Sequence, residues 1–565
     1  FAPKNEDAKG ISILCSVCQQ TIYPYHLFYH KKSHKALTLL GYDSSQAKMD
    51  NETLLAQRQK LISKLTKFPK YSERRRQKID YSFEFLMDDH TPTSHCDLDN
   101  TNSLNTLRKV KNSSIKALSI FQDKNSMWQG DMEDTFFVVD NYGNRSDTCF
   151  LGLVDGYHGV TAAETVAAEL PLVFLDQLAQ TDPSYKKTKE EQQILDSFAT
   201  VITEDYREKE KIFSDRQENN KKNTFEWIHK AYAKSFWRMD RLLRLGRNEV
   251  SSVRWSGCSA VTCLMERLPS ENTDGTKEER KHFENSMHSS LTKTTEDDAG
   301  LLHIANVGNV HAVLCKNGKS YHLSEEHSTS NVSERTRILQ NSGNISTNEP
   351  DGLVEGRLRN TRGLGYHGDP VLKRAVIPVP HSISVPIDSS CQFLILASSG
   401  LWEVLDYKEV CALTLTTFTH YLRTYGCGQQ NTVSLHNCQY LMPLSEGELN
   451  DSKAMNDLQD GREILDSNKE TVLADLEDNL AQSYTGQQLL KTTLPVDCKP
   501  PTHFEEDAKT YLSDCKSQTA GKGRVTSEAL YDNAASYISE QLAKTALAAG
   551  SRDNITILIV LLNGC

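Results

Sequence analysis

Long apolar runs are missing from this 565-residue chain, since no stretch approaches the roughly 20 residues that a membrane-spanning helix requires. Nothing near its start resembles the apolar core of a secretory signal either. These two absences predict a soluble protein without a membrane partner. The first residue is Phe1 rather than Met. This indicates a fragment or a processed start, so any upstream targeting signal would lie outside the sequence.

The sequence also lacks the cysteine pattern of a disulfide framework. Its fourteen cysteines are mostly isolated in apolar contexts, as Cys149, Cys263, Cys315 and Cys391 are. Such residues are typical of small core side chains in a reducing compartment. We therefore expect an intracellular protein, and the short basic cluster at 74–78 does not distinguish the cytoplasm from the nucleus.

Excess positive charge is absent as well, because the formal net charge is −11. That balance argues against broad nucleic-acid binding, although it leaves room for a local basic patch. The length is too great for one simple core, so we expect one large domain with additions, or two to three domains.

Residues 1–42 form a segment rich in cysteine and histidine. Cys15 and Cys18 are separated by two residues, and the helix-like stretch that follows places His26, His30 and His34 at intervals of four. Two thiols and two imidazoles at such spacings can supply four tetrahedral ligands for zinc. The segment is either a zinc knuckle or a small helix with solvated histidines. A single finger reads only about three base pairs, so a fold element or protein-contact module is favoured over a DNA reader.

The rest of the chain divides by composition. Residues 43–106 read as an amphipathic helix, predicted at 54–68, and a polar linker. From 107 to 565 short apolar strands alternate with helices, interrupted by polar insertions at about 266–299 and 425–525. Within this region we predict a break or kink at Pro171 in the helix 161–179. We also predict a hairpin over 301–323, with a bend at Asn306 and Gly308 and the turn at Asn317 and Gly318.

Several strand ends carry polar residues suited to metal binding. The apolar run that starts at Thr148 breaks at Asp155 and Gly156, which would place a carboxylate beside a bare backbone carbonyl. The alternative is an ordinary Asp-Gly turn. Glu133 stands before another strand in the sequence GDMED, and Asp553 precedes the last one in SRDN.

Seven of these motifs occur in the order found in one family. They are GDMED, FLGLVDGYHG, SGCSAV, LHIANVGNVHAVL, GLVEGRLRNTRGLG, FLILASSGLWEVL and SRDNITILIV. Together they resemble the metal-dependent protein phosphatases, protein phosphatase 2C, over about 107–565 without the two insertions. The resemblance implies an α+β fold, a β-sandwich of two antiparallel sheets flanked by helices, to which the small N-terminal Cys/His segment is added.

The resemblance also implies a site for two divalent cations, Mg²⁺ or Mn²⁺, which activate water for attack on phosphoserine or phosphothreonine. By position, Asp155 corresponds to the bridging ligand, and Gly156 offers its carbonyl. Glu133 corresponds to a carboxylate on one metal and Asp553 to one on the other.

Four positions depart from the family pattern. Ser399 stands where the family has a metal-binding aspartate, and Asn309 replaces an aspartate of a third metal. Gln129 occupies the place of the arginine that grips the phosphate. Tyr157 replaces the histidine taken as general acid, with His158 one position late. An unperturbed tyrosine, with a pKa of about 10, is a poor acid near neutrality.

These departures favour a pseudophosphatase that binds one Mg²⁺ or Mn²⁺ weakly and recognises a phosphoprotein or another protein partner. Loss of general acid catalysis alone costs about 10²- to 10⁴-fold. The alternative is an active Mg/Mn-dependent serine/threonine phosphatase that uses Glu133, Asp155 and Asp553 with another cation such as Arg362. A third hypothesis is a nucleic-acid-binding protein led by the Cys/His segment.

Overall fold

The structure is a computed structural model, and it describes residues 11–43, 49–65, 72–88, 103–199, 225–244, 252–267, 300–346, 352–425 and 527–565. Nearly all of the two predicted polar insertions lies outside these residues. The division into segments 1–42, 43–106 and 107–565 stays a prediction, and the first strand of the large sheets begins at Ser103.

Fourteen strands are present in the described residues. In chain order they are β1 Ile13–Leu14, β2 Thr21–Ile22, β3 Ser103–Arg108, β4 Ile115–Asp123, β5 Thr135–Val139, β6 Cys149–Tyr157, β7 Gly257–Arg267, β8 Gly300–Val307, β9 His311–Lys316, β10 Lys319–His322, β11 Leu364–Gly365, β12 His381–Ile387, β13 Cys391–Ala397 and β14 Ile555–Leu562.

Two six-stranded sheets contain twelve of them, and a small hairpin of β1 and β2 stands apart. The first sheet has the order β10, β9, β13, β14, β4, β3. The second has the order β12, β8, β7, β6, β5, with β11 paired to β7. All of these strand pairings are antiparallel. The expected α+β sandwich of antiparallel sheets flanked by helices is confirmed.

Helices lie on the outer faces of both sheets and at the N-terminal end. The described α-helices are Pro24–Leu39, Asn51–Leu65, Ser72–Met87, Thr161–Thr181, Lys189–Ala199, Glu226–Arg244, Ser252–Trp255, Val332–Gln340, Pro370–Ala375, Ser399–Trp402, Tyr407–Tyr425 and Ser527–Ala548. Within the part of the chain that the structure describes, none of these helices has the length and apolar character needed to cross a membrane.

Three apolar layers hold the sandwich together. Side chains of both sheets, among them Leu151 and Leu394, form the core between the sheets. Helices Tyr407–Tyr425 and Ser527–Ala548 cover the outer face of the first sheet. Helices Thr161–Thr181 and Glu226–Arg244 cover the second. Central strands are therefore covered on both faces, which explains why their sequences are continuous apolar runs rather than alternating ones.

Two local predictions are wrong in part: the helix does not break at Pro171, and only the turn at Asn317 and Gly318 of the predicted hairpin is confirmed. The helix Thr161–Thr181 continues through Pro171, whose neighbours Leu170 and Val173 are buried, so tertiary packing outweighs the helix-breaking tendency of proline. The stretch 301–323 is not one hairpin, because β8 and β9 belong to opposite sheets. The true hairpin joins β9 to β10 through Asn317 and Gly318, both of which have positive φ, as the Asn-Gly pair predicts.

Candidate metal centre at the sheet edges

The strand ends named above come from both sheets and meet at one edge of the sandwich. Asp155 lies in β6 of the second sheet, and Asp553 immediately precedes β14 of the first. Contrary to the predicted break, β6 continues past Asp155 to Tyr157, because β7 pairs with it as far as Gly257. Asp155 is thus fixed by a ladder on a central strand and is only 1% exposed.

Ser399 links the two carboxylates. Its backbone N–H donates to Oδ2 of Asp155 at 2.8 Å, and its hydroxyl donates to Oδ2 of Asp553 at 3.0 Å. On the other side of Asp553, the Gln129 side-chain amide donates to Oδ1 at 3.3 Å and to the Arg552 carbonyl at 2.9 Å. Two of the positions that depart from the family pattern are therefore in direct contact with a predicted metal ligand.

Glu133 and Gly156 complete the group. The Gly159 N–H donates to Oε1 of Glu133 at 3.0 Å, and the Glu133 N–H donates to Oδ1 of Asn554 at 2.8 Å. A Cβ on Gly156 would lie 2.4 Å from the Glu133 carbonyl oxygen, so the two backbones approach more closely than any side chain would permit. The structure brings the predicted ligands Glu133, Asp155, Gly156 and Asp553 into one neighbourhood.

Burial of these acids raises their proton affinity. Desolvation, with the nearby charges of Asp134 and Asp553, raises the pKa of Asp155 well above its ordinary value. Desolvation also raises the pKa of Glu133, although the Gly159 N–H opposes the shift. A concentration of buried like charges is stabilised by a divalent cation, which neutralises the repulsion. The chemistry of this donor set therefore fits Mg²⁺ or Mn²⁺.

Asp134 is a member of the group that the sequence reasoning missed. It is buried, desolvation raises its pKa to about 7, and its Oδ2 has no hydrogen-bond partner among the described residues. The signal was available in GDMED, where Asp134 follows Glu133 directly.

The remaining degenerate positions surround Ser259. The Tyr157 hydroxyl lies 3.2 Å from Oγ of Ser259, to which Asn360 donates at 3.0 Å. The Asn309 N–H also donates to this oxygen, at 3.3 Å. Desolvation, reinforced by the charge of Asp155, raises the pKa of Tyr157 well above its usual range, so the phenol retains its proton. His158, the neighbouring residue, has a left-handed backbone with φ of 61°.

Arg362 does not serve as the spare cation of the active-phosphatase hypothesis. Its guanidinium donates to Oε1 of Glu334 at 2.6 and 3.0 Å and to the Val379 carbonyl at 3.1 Å. Glu334 is 2% exposed, and these donors and charges hold its pKa at about 2 against the effect of burial. The arginine is therefore engaged in an ion pair with a buried carboxylate of the helix Val332–Gln340 rather than with the acidic group at the sheet edges.

A cavity of about 1300 Å³ opens beside Asn309. Its lining comes from the hairpin of β9 and β10, from residues 324–333 and from the segment that follows Ser399. Its polar and aromatic side chains include Asn309, His311, His322, Trp402, Asp406 and Tyr407. Such a mixed polar and aromatic lining offers space for a peptide segment.

The Cys/His segment forms a second candidate centre. The hairpin of β1 and β2 carries Cys15 and Cys18, and the following helix Pro24–Leu39 carries His30 and His34. Their four ligand atoms lie within 4.8 Å of one another. Among the described residues, no other group of three or more His, Cys, Asp and Glu side chains is as tight, and the acidic group at the sheet edges is wider. His26 lies outside the cluster.

The distances in this cluster fit a tetrahedral ion. Sγ of Cys15 is 3.4 Å from Nε2 of His34, Sγ of Cys18 is 3.3 Å from Nε2 of His30, and the two nitrogens are 3.0 Å apart. Zinc bonds of about 2.0–2.3 Å at tetrahedral angles separate ligand atoms by roughly 3.3–3.8 Å. The two sulfur–nitrogen distances lie in this range, and the two nitrogens are slightly closer together. Burial, with the charge of His34, lowers the pKa of His30 to about 4, so it is neutral at pH 7, as a ligand must be.

The close approach at Gly156 generates a prediction. We expect Gly156→Ala to lower the free energy of unfolding by about 1–3 kcal/mol, because the new methyl group must displace the Glu133 backbone. Urea denaturation measures the change. Gly130→Ala in the neighbouring loop is the matched control, since no heavy atom lies within 4 Å of its Cβ. Equal free energies of unfolding for the two variants would show that Gly156 does not lie in close contact with the Glu133 backbone.

Comparison with known proteins shows which family the sequence is similar to. Residues 270–423 match the family model described as Protein phosphatase 2C. The chain is 41% identical to the human "Protein phosphatase 2C-like domain-containing protein 1" over 98% of this chain and 90% of that protein. The mouse protein of the same name is 37% identical over 98% of this chain and 88% of its own length. Among solved structures, serine-threonine phosphatase 2C from Toxoplasma gondii is 13% identical, with a TM-score of 0.40 over 81% of this chain and 99% of that chain. On the strength of the human and mouse relatives, this chain belongs to the protein phosphatase 2C family.

Proposed function

We propose that this chain is a catalytically impaired protein phosphatase 2C-like protein that acts as a binding or regulatory module for a phosphoprotein or another protein partner. The observation that carries the proposal is the position of Ser399, which donates hydrogen bonds to both Asp155 and Asp553. A neutral donor stands where the family pattern calls for a third carboxylate between them.

The exchange lowers the number of metal ligands. Glu133, Asp155 and the Gly156 carbonyl would hold one cation, which keeps several of its waters, as Mg²⁺ usually does. A second cation would have Asp553 and a share of Asp155. A bound divalent ion polarises phosphate oxygens and lowers the pKa of water, and a pair of ions is needed to stabilise both the attacking and the leaving oxygen. One weakly held Mg²⁺ or Mn²⁺ supports binding better than hydrolysis.

Proton transfer and phosphate binding are weakened as well. Tyr157 hydrogen-bonds Ser259 and keeps its proton at neutral pH, so it is a poor general acid. Gln129 is neutral, and its amide is used by Asp553 and the Arg552 carbonyl. Losing the general acid costs about 10²- to 10⁴-fold in rate. The losses are not additive, but each of them acts on the same step.

One observation favours the alternative, an active Mg/Mn-dependent phosphatase that hydrolyses phosphoserine or phosphothreonine. The Arg552 guanidinium lies 4.7 Å from the centre of the Trp128 ring, next to Gln129 and Asp553. Arg552 is the neighbour of Asp553 in the chain, whereas Arg362 is paired with Glu334. The Arg552 guanidinium could therefore bind a phosphate group beside the acidic residues. It replaces one lost function and leaves the losses at Ser399 and Tyr157.

The turnover assay tests the proposal. We expect purified protein with Mn²⁺ and a phosphoserine peptide to show no hydrolysis above that of Asp155→Ala. The triple reversion Gln129→Arg/Tyr157→His/Ser399→Asp should raise the rate at least about 10²-fold, because it restores a ligand, a cation and an acid. Glu190→Gln, which neutralises an exposed carboxylate of the helix Lys189–Ala199, is the matched control and should change nothing. Turnover by the natural sequence that disappears in Asp155→Ala would contradict the proposal.

We also propose that the Cys/His cluster binds one structural zinc ion, in a protein of a reducing, intracellular compartment. The tetrahedral spacing of its four ligand atoms supports the metal. The nine described cysteines, all of which are free thiols, support the compartment.

Elemental analysis tests the zinc site. We expect one zinc per chain, and Cys15→Ser/Cys18→Ser should remove it, because sulfur supplies half of the ligands. His26→Gln changes a histidine on the same helix that lies outside the cluster, and it should retain the metal. Unchanged zinc content in the double cysteine variant would refute the site.

A further inference from the structure

We infer that the zinc-binding segment is a metal-dependent clamp within the molecule: it fixes residues 399–406 and the start of the helix Tyr407–Tyr425, and thereby the serine that links Asp155 to Asp553. The inference rests on the proposed zinc site. The partner on which the zinc-binding segment docks is this chain's own phosphatase-like domain.

The clamp shares the domain's apolar core. Ile13 of the hairpin is 1% exposed and Leu27 of the helix Pro24–Leu39 is fully buried. Both belong to the same cluster of buried side chains as Leu401, Leu405 and Val410. Residues that bury their side chains against one another are ordered together, so the segment is not an independent appendage.

A reciprocal cap begins the helix Tyr407–Tyr425. The Asp406 carboxylate accepts from the N–H groups of Lys408 and Glu409, each at 3.0 Å. The Glu409 carboxylate accepts in return from the Asp406 N–H at 3.0 Å. This arrangement is a capping box, which satisfies N–H groups that the helix itself leaves unpaired.

The clamp binds both carboxylates of this cap. The Ser16 hydroxyl donates to Oδ2 of Asp406. The Lys31 ammonium donates to Oε2 of Glu409 at 2.6 Å and to the Val404 carbonyl at 2.9 Å. Glu409 is 1% exposed, and burial raises its pKa while Lys31 lowers it. A buried carboxylate that loses its cation is left uncompensated, so Lys31 is essential to the cap.

The cap lies at one end of a short, packed segment, and Ser399 lies at the other. Between them, the Trp402 indole donates to the Ala397 carbonyl at 2.8 Å, and Leu401 and Leu405 are buried. Because the segment is anchored along its length, movement at Asp406 is transmitted to Ser399 rather than absorbed by a loose loop.

The clamp needs its metal because it is small. It consists of two strands of two residues each and one helix, and its four ligands join the hairpin to that helix. Small domains of this kind lose their fold without zinc. Loss of the ion would therefore withdraw Ser16, Lys31, Ile13 and Leu27 together.

Two basic residues of the segment, Lys31 and Lys32, are engaged in contacts within the molecule. Lys31 is paired with Glu409. The Lys32 ammonium lies over the rings of Phe28, Tyr81 and Phe85, at 5.5, 5.9 and 5.2 Å. These intramolecular contacts direct both charges away from a nucleic acid.

Hydrogen exchange on the full chain tests the clamp. We expect Lys31→Met to keep one zinc per chain, yet to raise amide exchange over 399–425 at least about tenfold and to lower Tm by several degrees. Lys35→Met changes an exposed lysine on the same helix and should leave both unchanged. The double variant Lys31→Met/Glu409→Gln should recover most of the loss, because it removes the unpaired charge. Zinc removal by a chelator should raise exchange over the same residues.

The outcomes separate the clamp from the zinc site. Suppose that zinc is bound, but that exchange over 399–425 stays at the level of the natural zinc-loaded protein both in Lys31→Met and after chelation. The clamp is then refuted and the zinc site stands. If no zinc is bound to the natural sequence, both are refuted.

Discussion

The structure depends on the burial of several carboxylates at the junction of two sheets. Asp155 is held in a central strand and Asp134 beside it is equally withdrawn from water, so neither can move apart to relieve the repulsion. Such a group must take up protons, bind a cation or receive hydrogen bonds from fixed donors. In this chain Ser399 supplies the fixed donors. The residue that we propose to weaken metal binding is thus the same one that donates hydrogen bonds to both Asp155 and Asp553.

Much of this site could be predicted from the sequence. The apolar run that reaches Asp155 and Gly156 located these two residues, and the resemblance to protein phosphatase 2C implied the roles of Glu133 and Asp553; the structure places all four in one neighbourhood. The four departures were visible because the same resemblance assigns a residue type to each of those positions. Covered strands have an unambiguous pattern, which is why their ends could be identified.

Features that depend on contacts across the molecule could not be predicted. Nothing in the sequence of β8 and β9 indicates that they enter different sheets, because Gly308 permits either a hairpin or a crossing. Helical propensity alone predicted a break at Pro171, but the helix continues there because the flanking residues are buried. The pairing of Lys31 with Glu409 joins residues 378 apart in the chain. Local pattern carries no information about such a contact, so the Cys/His segment read as a separate module.

The central claim is that the former two-metal site retains ligands for one ion. Calorimetric titration of Mn²⁺ into the zinc-loaded full chain tests it most directly. The account predicts a single weak site per chain that Asp155→Ala abolishes. Two Mn²⁺ ions bound with similar affinity to the natural sequence would contradict it, because Ser399 would then have cost the site nothing.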